Sequence, residues 1–111
     1  MVKFTHNYDK SNDRVFTTVR SVNYMKKHNL LLGSIDTVTF PDKKFLGKLI
    51  AYQDLTINNM SLDLLKYDVS PLPCETKEDF VDILNSFLPL GWGHNTIWTT
   101  KRLMVWLNLE G

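Results

Sequence analysis

Three β-rich pieces in the first half of the chain constrain its fold most: Phe16-Thr17-Thr18-Val19-Arg20, Ile35 to Phe40, and Phe45 to Leu55. β-Branched and aromatic residues favour extended backbone, and alternation sends successive side chains to opposite faces. Val15 to Val19 is therefore expected as a strand that delivers a cationic Arg and two hydroxyls to one end. The next strand puts Asp36, Val38 and Phe40 on one side and Ile35, Thr37 and Thr39 on the other. Pro41-Asp42-Lys43-Lys44 closes a hairpin, and Gly47 interrupts the returning strand as at a bulge or a bend of a curved sheet. A curved sheet suits a small barrel.

The remaining segments add helices and edges. Val2 to Thr5 reads as a short edge strand and Asp9 to Asp13 as a turn-rich cluster. Val22 to His28 is expected as a short helix with Lys26-Lys27 near its C-terminal end, where the macrodipole favours cations. Leu30-Leu31-Leu32 reads as a buried apolar plug or the entry to the next strand. Ser61 to Lys66 makes one or two helical turns capped by Ser61. The prolines of Ser70-Pro71-Leu72-Pro73 forbid regular structure there. Thr76-Lys77-Glu78-Asp79 caps an amphipathic helix with Phe80, Ile83, Leu84, Phe87 and Leu88 on its apolar face. Pro89 and Gly91 end it, and Gly91-Trp92-Gly93-His94-Asn95 forms an aromatic loop. In the final strand Leu103, Val105, Leu107 and Leu109 face one way, with Arg102, Met104, Trp106 and Asn108 opposite. The fold class is α+β.

At 111 residues, with 43% hydrophobic and 23% charged residues, the chain is expected to be one ordered domain, 1–111, with its core in about 14–109. No apolar run approaches the roughly 20 residues that cross a bilayer, and the start lacks the apolar stretch of a signal peptide. A cytoplasmic location away from membranes is the expectation. The single cysteine, Cys74, has no internal disulfide partner. The formal charge of +1 hides an asymmetry: residues 1–50 hold nine Lys or Arg against four acids, and residues 51–111 hold four against eight. Bases that converge on one face make a field able to attract phosphates.

Phe16-Thr17-Thr18-Val19-Arg20 resembles the Thr-Thr-Ile-Arg strand of many bacterial, archaeal and phage ASCH proteins, with Val19 for Ile. Gly33-Ser34-Ile35-Asp36 resembles that family's turn before the second strand, and Phe45-Leu46-Gly47-Lys48 its hydrophobic-Leu-Gly-basic strand. Leu64 to Asp68, the helix from Thr76 and the strand from Leu103 follow in the family's order, so the resemblance covers roughly residues 14 to 109. It implies a small PUA-like mixed β-barrel with one or two flanking helices, and a cleft that binds RNA or a modified nucleotide. One branch of the family hydrolyses N4-acetylcytidine with a Lys, a Thr and a Glu. Thr18 matches that Thr, Val15 stands where the Lys would be, and Glu75 is the nearest candidate for the Glu. The family's Gly-x-Lys-x-x-Glu-x-Arg pattern is also missing, with only Arg20 of it in place. The resemblance therefore implies recognition more than catalysis, and the enzymatic reading, hydrolase or ribonuclease, is an alternative.

Arg20 is the first candidate, because its planar fork holds phosphate or carboxylate in two parallel bonds. Thr18 shares its face by the period of two, and Thr17 lies on the other. Lys26, Lys27 and Lys48, with Lys43 and Lys44, are candidates for tracking a nucleic-acid backbone. Trp92 is the preferred base-stacking aromatic, ahead of Trp98 and Tyr67. Asp68 and Glu75 are candidate polar anchors or acid–base groups. His6, His28, His94 and Cys74 show no ligand spacing, so neither a metal nor a cofactor is expected. A third reading is a phage-type protein-interaction module. The oligomeric state is open.

Overall fold

The computed structural model describes residues 1–88 and 94–111. In chain order the elements are β1 (Val2–Lys3), β2 (Val15–Ser21), α1 (Tyr24–Lys27), β3 (Ile35–Phe40), β4 (Lys43–Thr56), α2 (Leu62–Val69), α3 (Lys77–Ser86) and β5 (Thr100–Asn108). Single 3-10 turns occupy Asp9–Asn12 and Ile57–Asn59. Pro89 and the Gly91-Trp92-Gly93 part of the expected aromatic loop lie outside the described residues, while its Asn95 donates from N to Asn85 Oδ1 at 3.1 Å.

The strands form one five-stranded mixed sheet in the order β1-β3-β4-β5-β2, parallel between β1 and β3 and antiparallel elsewhere. β1 and β2 are its two edges, yet Arg20 Nη2 on β2 donates to Lys3 O on β1 at 3.0 Å. The sheet is therefore curled into a half-barrel whose edges approach each other. Its inner face is built in rows across the strands: Phe16 beside Trp106 beside Leu49, then Thr18 beside Met104 beside Tyr52, then Arg20 beside Arg102 beside Asp54. The first row is fully buried and the last lies at the mouth. Phe4, Phe40 and Phe45 complete the interior, with the Phe4 and Phe40 rings stacked at 4.4 Å. Each such large side chain contributes roughly 1.5–3 kcal/mol on burial.

Gly47 is not the bulge. The register of β4 against β5 shifts between Leu49 and Ala51, so Ile50 is the extra residue that bends the long strand. Gly47 serves close packing instead: a Cβ there would meet Val38 Cγ2 at 2.8 Å and Trp106 Cε3 at 3.2 Å. In β5 the buried side is Met104 and Trp106, and the Leu103, Val105, Leu107 side is only half-buried. The expected plug at Leu30-Leu31-Leu32 is half right. Leu30 is buried, whereas Leu31 and Leu32 are exposed because the chain there turns toward β3 through Gly33 at φ +88°.

The helices form as their caps predict. Ser61 Oγ accepts from Leu64 N at 3.1 Å, and α2 runs on past Lys66 to Val69. Thr76 and Asp79 make a full capping box at the start of α3. Phe80 and Val81 are buried, Ile83 and Leu84 half-buried, and Phe87 is largely exposed. The expected apolar stripe thus serves two purposes, core at one end and cleft wall at the other. α2 packs against β2, α3 and the Asp9–Asn12 turn. No helix among the described residues is long and apolar enough to cross a membrane.

Candidate functional site

Where the sheet edges meet, a cleft of about 360 Å³ opens between the half-barrel mouth and α3. Arg20 and Thr18 come to it from the inner face of β2, Lys3 from the end of β1, Phe4 from just after it, and Tyr24 from α1. Ile83, Leu84, Phe87 and Leu88 form the apolar wall, and Lys101 enters from the first turn of β5.

Arg20 is held by its surroundings. Its Nε donates to Thr18 Oγ1 at 3.0 Å and its Nη2 to Lys3 O at 3.0 Å. The guanidinium lies 4.8 Å from the Phe4 ring centre and 5.0 Å from that of Tyr24, a stacked cation–π arrangement that fixes its plane. Nη1 has no hydrogen-bond partner among the described residues. Among the described residues no carboxylate pairs with Arg20: Asp36 pairs with the N-terminal amine at 2.8 Å, and Asp68 with Lys10. A pre-set fork with an open edge is suited to an anionic oxygen.

Behind it sits a buried ion pair. Lys10 is 2% and Asp68 6% exposed, and Lys10 Nζ donates to Asp68 Oδ1 at 3.0 Å. Thr17 Oγ1 donates to the same oxygen at 2.8 Å. The Lys10 amine also lies 4.7 Å from the Phe4 ring centre and 5.1 Å from that of Tyr8. Lys10 reaches this place because its turn is tied to the end of α2: Asp9 N donates to Ser70 O at 2.8 Å, and Ser70 Oγ donates to Asp9 Oδ2 at 2.7 Å. Burial pushes the Lys10 ammonium below the ordinary lysine range, against the opposing pull of Asp68. Lys101 is also pushed down, first by burial and then by the charge of Arg20. The Tyr8 and Tyr24 hydroxyls are pushed up, chiefly by burial.

Three cations, Lys10, Arg20 and Lys101, with Lys3 at the rim, therefore share the cleft with a single carboxylate, Asp68. Beyond Arg20, the neighbouring Arg102 is neutralised by a bidentate pair to Asp54, at 2.7 and 2.8 Å. The cleft keeps an excess of positive charge between apolar and aromatic walls. Positive charge beside apolar walls can hold an anionic group. Among the described residues no three His, Cys, Asp or Glu side chains are grouped to hold a metal ion.

Of the residues singled out by sequence, Thr18, Arg20 and Asp68 line the cleft, and Thr17 supports Asp68 from the adjacent face. Asp68 is a helical, buried residue and not a solvated loop carboxylate. Lys26 and Lys27 are exposed on α1, whose Tyr24 does line the cleft. Lys48 lies on the opposite, outer face of the sheet, between Ile35 and Leu107. Glu75 is exposed and pairs with Lys66 at 3.4 Å. Tyr67 is occupied, its one hydroxyl hydrogen shared between Asp13 at 2.8 Å and Val15 O at 3.2 Å. Trp98 is exposed outside the cleft, and Trp92 lies outside the described residues. Lys10, Lys101, Tyr8 and Tyr24 escaped sequence reasoning. Nothing local marks Lys10 in its turn, and the two-residue period of β5 assigns Lys101, paired opposite Ser21, to the face away from Arg20.

No protein-family model and no solved structure matches the chain. Over 108 residues it is 32% identical to the uncharacterized protein MJ0364 of Methanocaldococcus jannaschii, covering 96% of this chain and 92% of that one.

Proposed function

This chain belongs to the same family as the Methanocaldococcus jannaschii protein, and from its cleft we propose a PUA-like barrel of the ASCH kind that binds RNA or a modified nucleotide. The observation that carries the reading is the convergence of Lys10, Arg20 and Lys101 on one cleft that holds a single carboxylate. A phosphate oxygen meets the open edge of the Arg20 fork, and a base lies against Tyr24 and Phe87. The cleft's volume falls in the range of roughly 300–1,000 Å³ usual for small-ligand sites. Lys26 and Lys27 extend the positive field outward along α1 and attract the phosphates that flank a bound nucleotide.

Binding of fluorescent single-stranded RNA and of a mononucleotide, titrated at low salt, tests this. Arg20→Ala should weaken it by about 1–3 kcal/mol, and Arg20→Lys should recover little because the ammonium lacks the fork. Absence of binding to either probe at low salt overturns the reading.

One observation favours a second reading, hydrolysis of an acylated cytidine. Val15 stands where the hydrolase branch has its Lys, but Lys10 and Asp68 bring an amine and a carboxylate to the cleft at 3.0 Å, and the Thr17 hydroxyl donates to that carboxylate at 2.8 Å from the adjacent face. Incubation with N4-acetylcytidine decides it: release of cytidine that is lost in Lys10→Met supports hydrolysis, and no product removes it.

A further inference from the structure

At its Ile35, Leu46 and Leu109 end, the outer face of β3, β4 and β5 is exposed and largely apolar, with Lys44 and Lys48 among its side chains. One row across it runs Val15, Leu107, Lys48 and Ile35; Leu46 and Leu109 lie in the next, where Leu109 N donates to Leu46 O at 2.9 Å, and Ile50 bulges outward beyond them. Ile35 is 60% exposed, Val15 47%, Leu46 46%, Leu109 44% and Ile50 40%. The exposed Leu31-Leu32 corner adjoins this face, since Gly33 N donates to Leu49 O at 2.7 Å. Together these side chains present roughly 700 Å² of surface, against the roughly 800 Å² each partner contributes to a standard interface. Isolated exposed leucines need no explanation, but a contiguous patch of this size on a sheet marks an interaction surface.

We propose that this face is the interface of a two-fold symmetric dimer, its occupant a second copy of this chain. Two such faces together present about 1,400 Å², within the roughly 1,200–2,000 Å² of specific interfaces, and sheet faces pack on one another with aligned strands. Opposite charges also lie on this face, where two lysines, Lys44 and Lys48, outnumber the one acid, Glu110. Lys48 stands within the apolar rows, and Glu110, whose carboxylate accepts from Leu46 N at 2.5 Å, stands at their border. In a two-fold interface a contact from residue i to residue j is made twice, so each Lys48 meets the other copy's Glu110 and neither charge is left among apolar groups. The face lies on the side of the sheet away from Thr18 and Arg20, so pairing leaves both clefts open. The proposal is independent of what those clefts bind.

Sedimentation equilibrium of the whole chain tests it. The protein should run at twice the chain mass in the micromolar range. Ile35→Glu, and Leu46→Glu as a second variant, should weaken the dimer at least tenfold while circular dichroism and binding at the cleft stay unchanged. Lys48→Glu should weaken it too, and the charge swap Lys48→Glu with Glu110→Lys should restore it. A chain that stays monomeric at hundreds of micromolar overturns the proposal and leaves the face to some other partner. So does a dimer that is indifferent to Ile35→Glu and Leu46→Glu, or a charge swap no better than Lys48→Glu alone.

Discussion

Lys10 and Asp68 are the residues on which most depends at the smallest scale. Two opposite charges removed from water persist only while paired, because the desolvation of either alone is not recovered. Lys10→Ala leaves the Asp68 carboxylate with Thr17 as its one side-chain donor among the described residues. It should cost about 3–5 kcal/mol in urea unfolding, and Lys10→Met combined with Asp68→Leu should recover most of that loss. If the double variant is as unstable as the single one, the cost comes from packing and not from the unpaired charge. Thr18 and Arg20 were legible here, since the two-residue period puts them on one face. Lys10 was not, because its burial arises from a turn docked on the far end of a helix 58 residues later in sequence.

At the scale of elements, local chemistry decided the helices. Thr76 Oγ1 accepts from Asp79 N at 3.1 Å, and the Asp79 carboxylate accepts from Glu75 N and Thr76 N at 2.8 and 3.0 Å. These backbone donors hold the Asp79 carboxyl below its usual range. Thr76→Ala removes one half of the box and should lower the stability of the protein by about 1 kcal/mol, measured by thermal or urea unfolding. The strands were equally readable as strands. What the pattern misplaced was the irregularity in β4: a glycine suggests a bulge, but this one makes room for Val38 and Trp106, and the ladder slips at Ile50, a residue with no sequence mark of a bulge.

Across the whole molecule, curling of the sheet brings cations from four separate segments into one cleft. Burial, with a lesser contribution from the charge of Arg20, gives the protein a pH dependence that exposed lysines would lack. Lys10 and Lys101 both lie below the ordinary lysine range, so as pH rises they lose their protons, and the cleft its excess charge, before surface lysines do. Affinity for an anionic nucleotide should therefore fall as pH rises before the ordinary lysine range near about 10.4 is reached, with Lys101→Met removing part of that fall. Titration of binding against pH at constant ionic strength checks this. The chain by itself determined its α+β class, its strand faces and its helix caps, because period, propensity and capping act over a few neighbouring residues. Tertiary structure alone decided that Lys10 and Asp68 meet, that Lys48 lies on the far side from Arg20, and that an apolar face stays bare. Those outcomes depend on how the sheet curls and where the helices dock, and no local pattern encodes the direction of either.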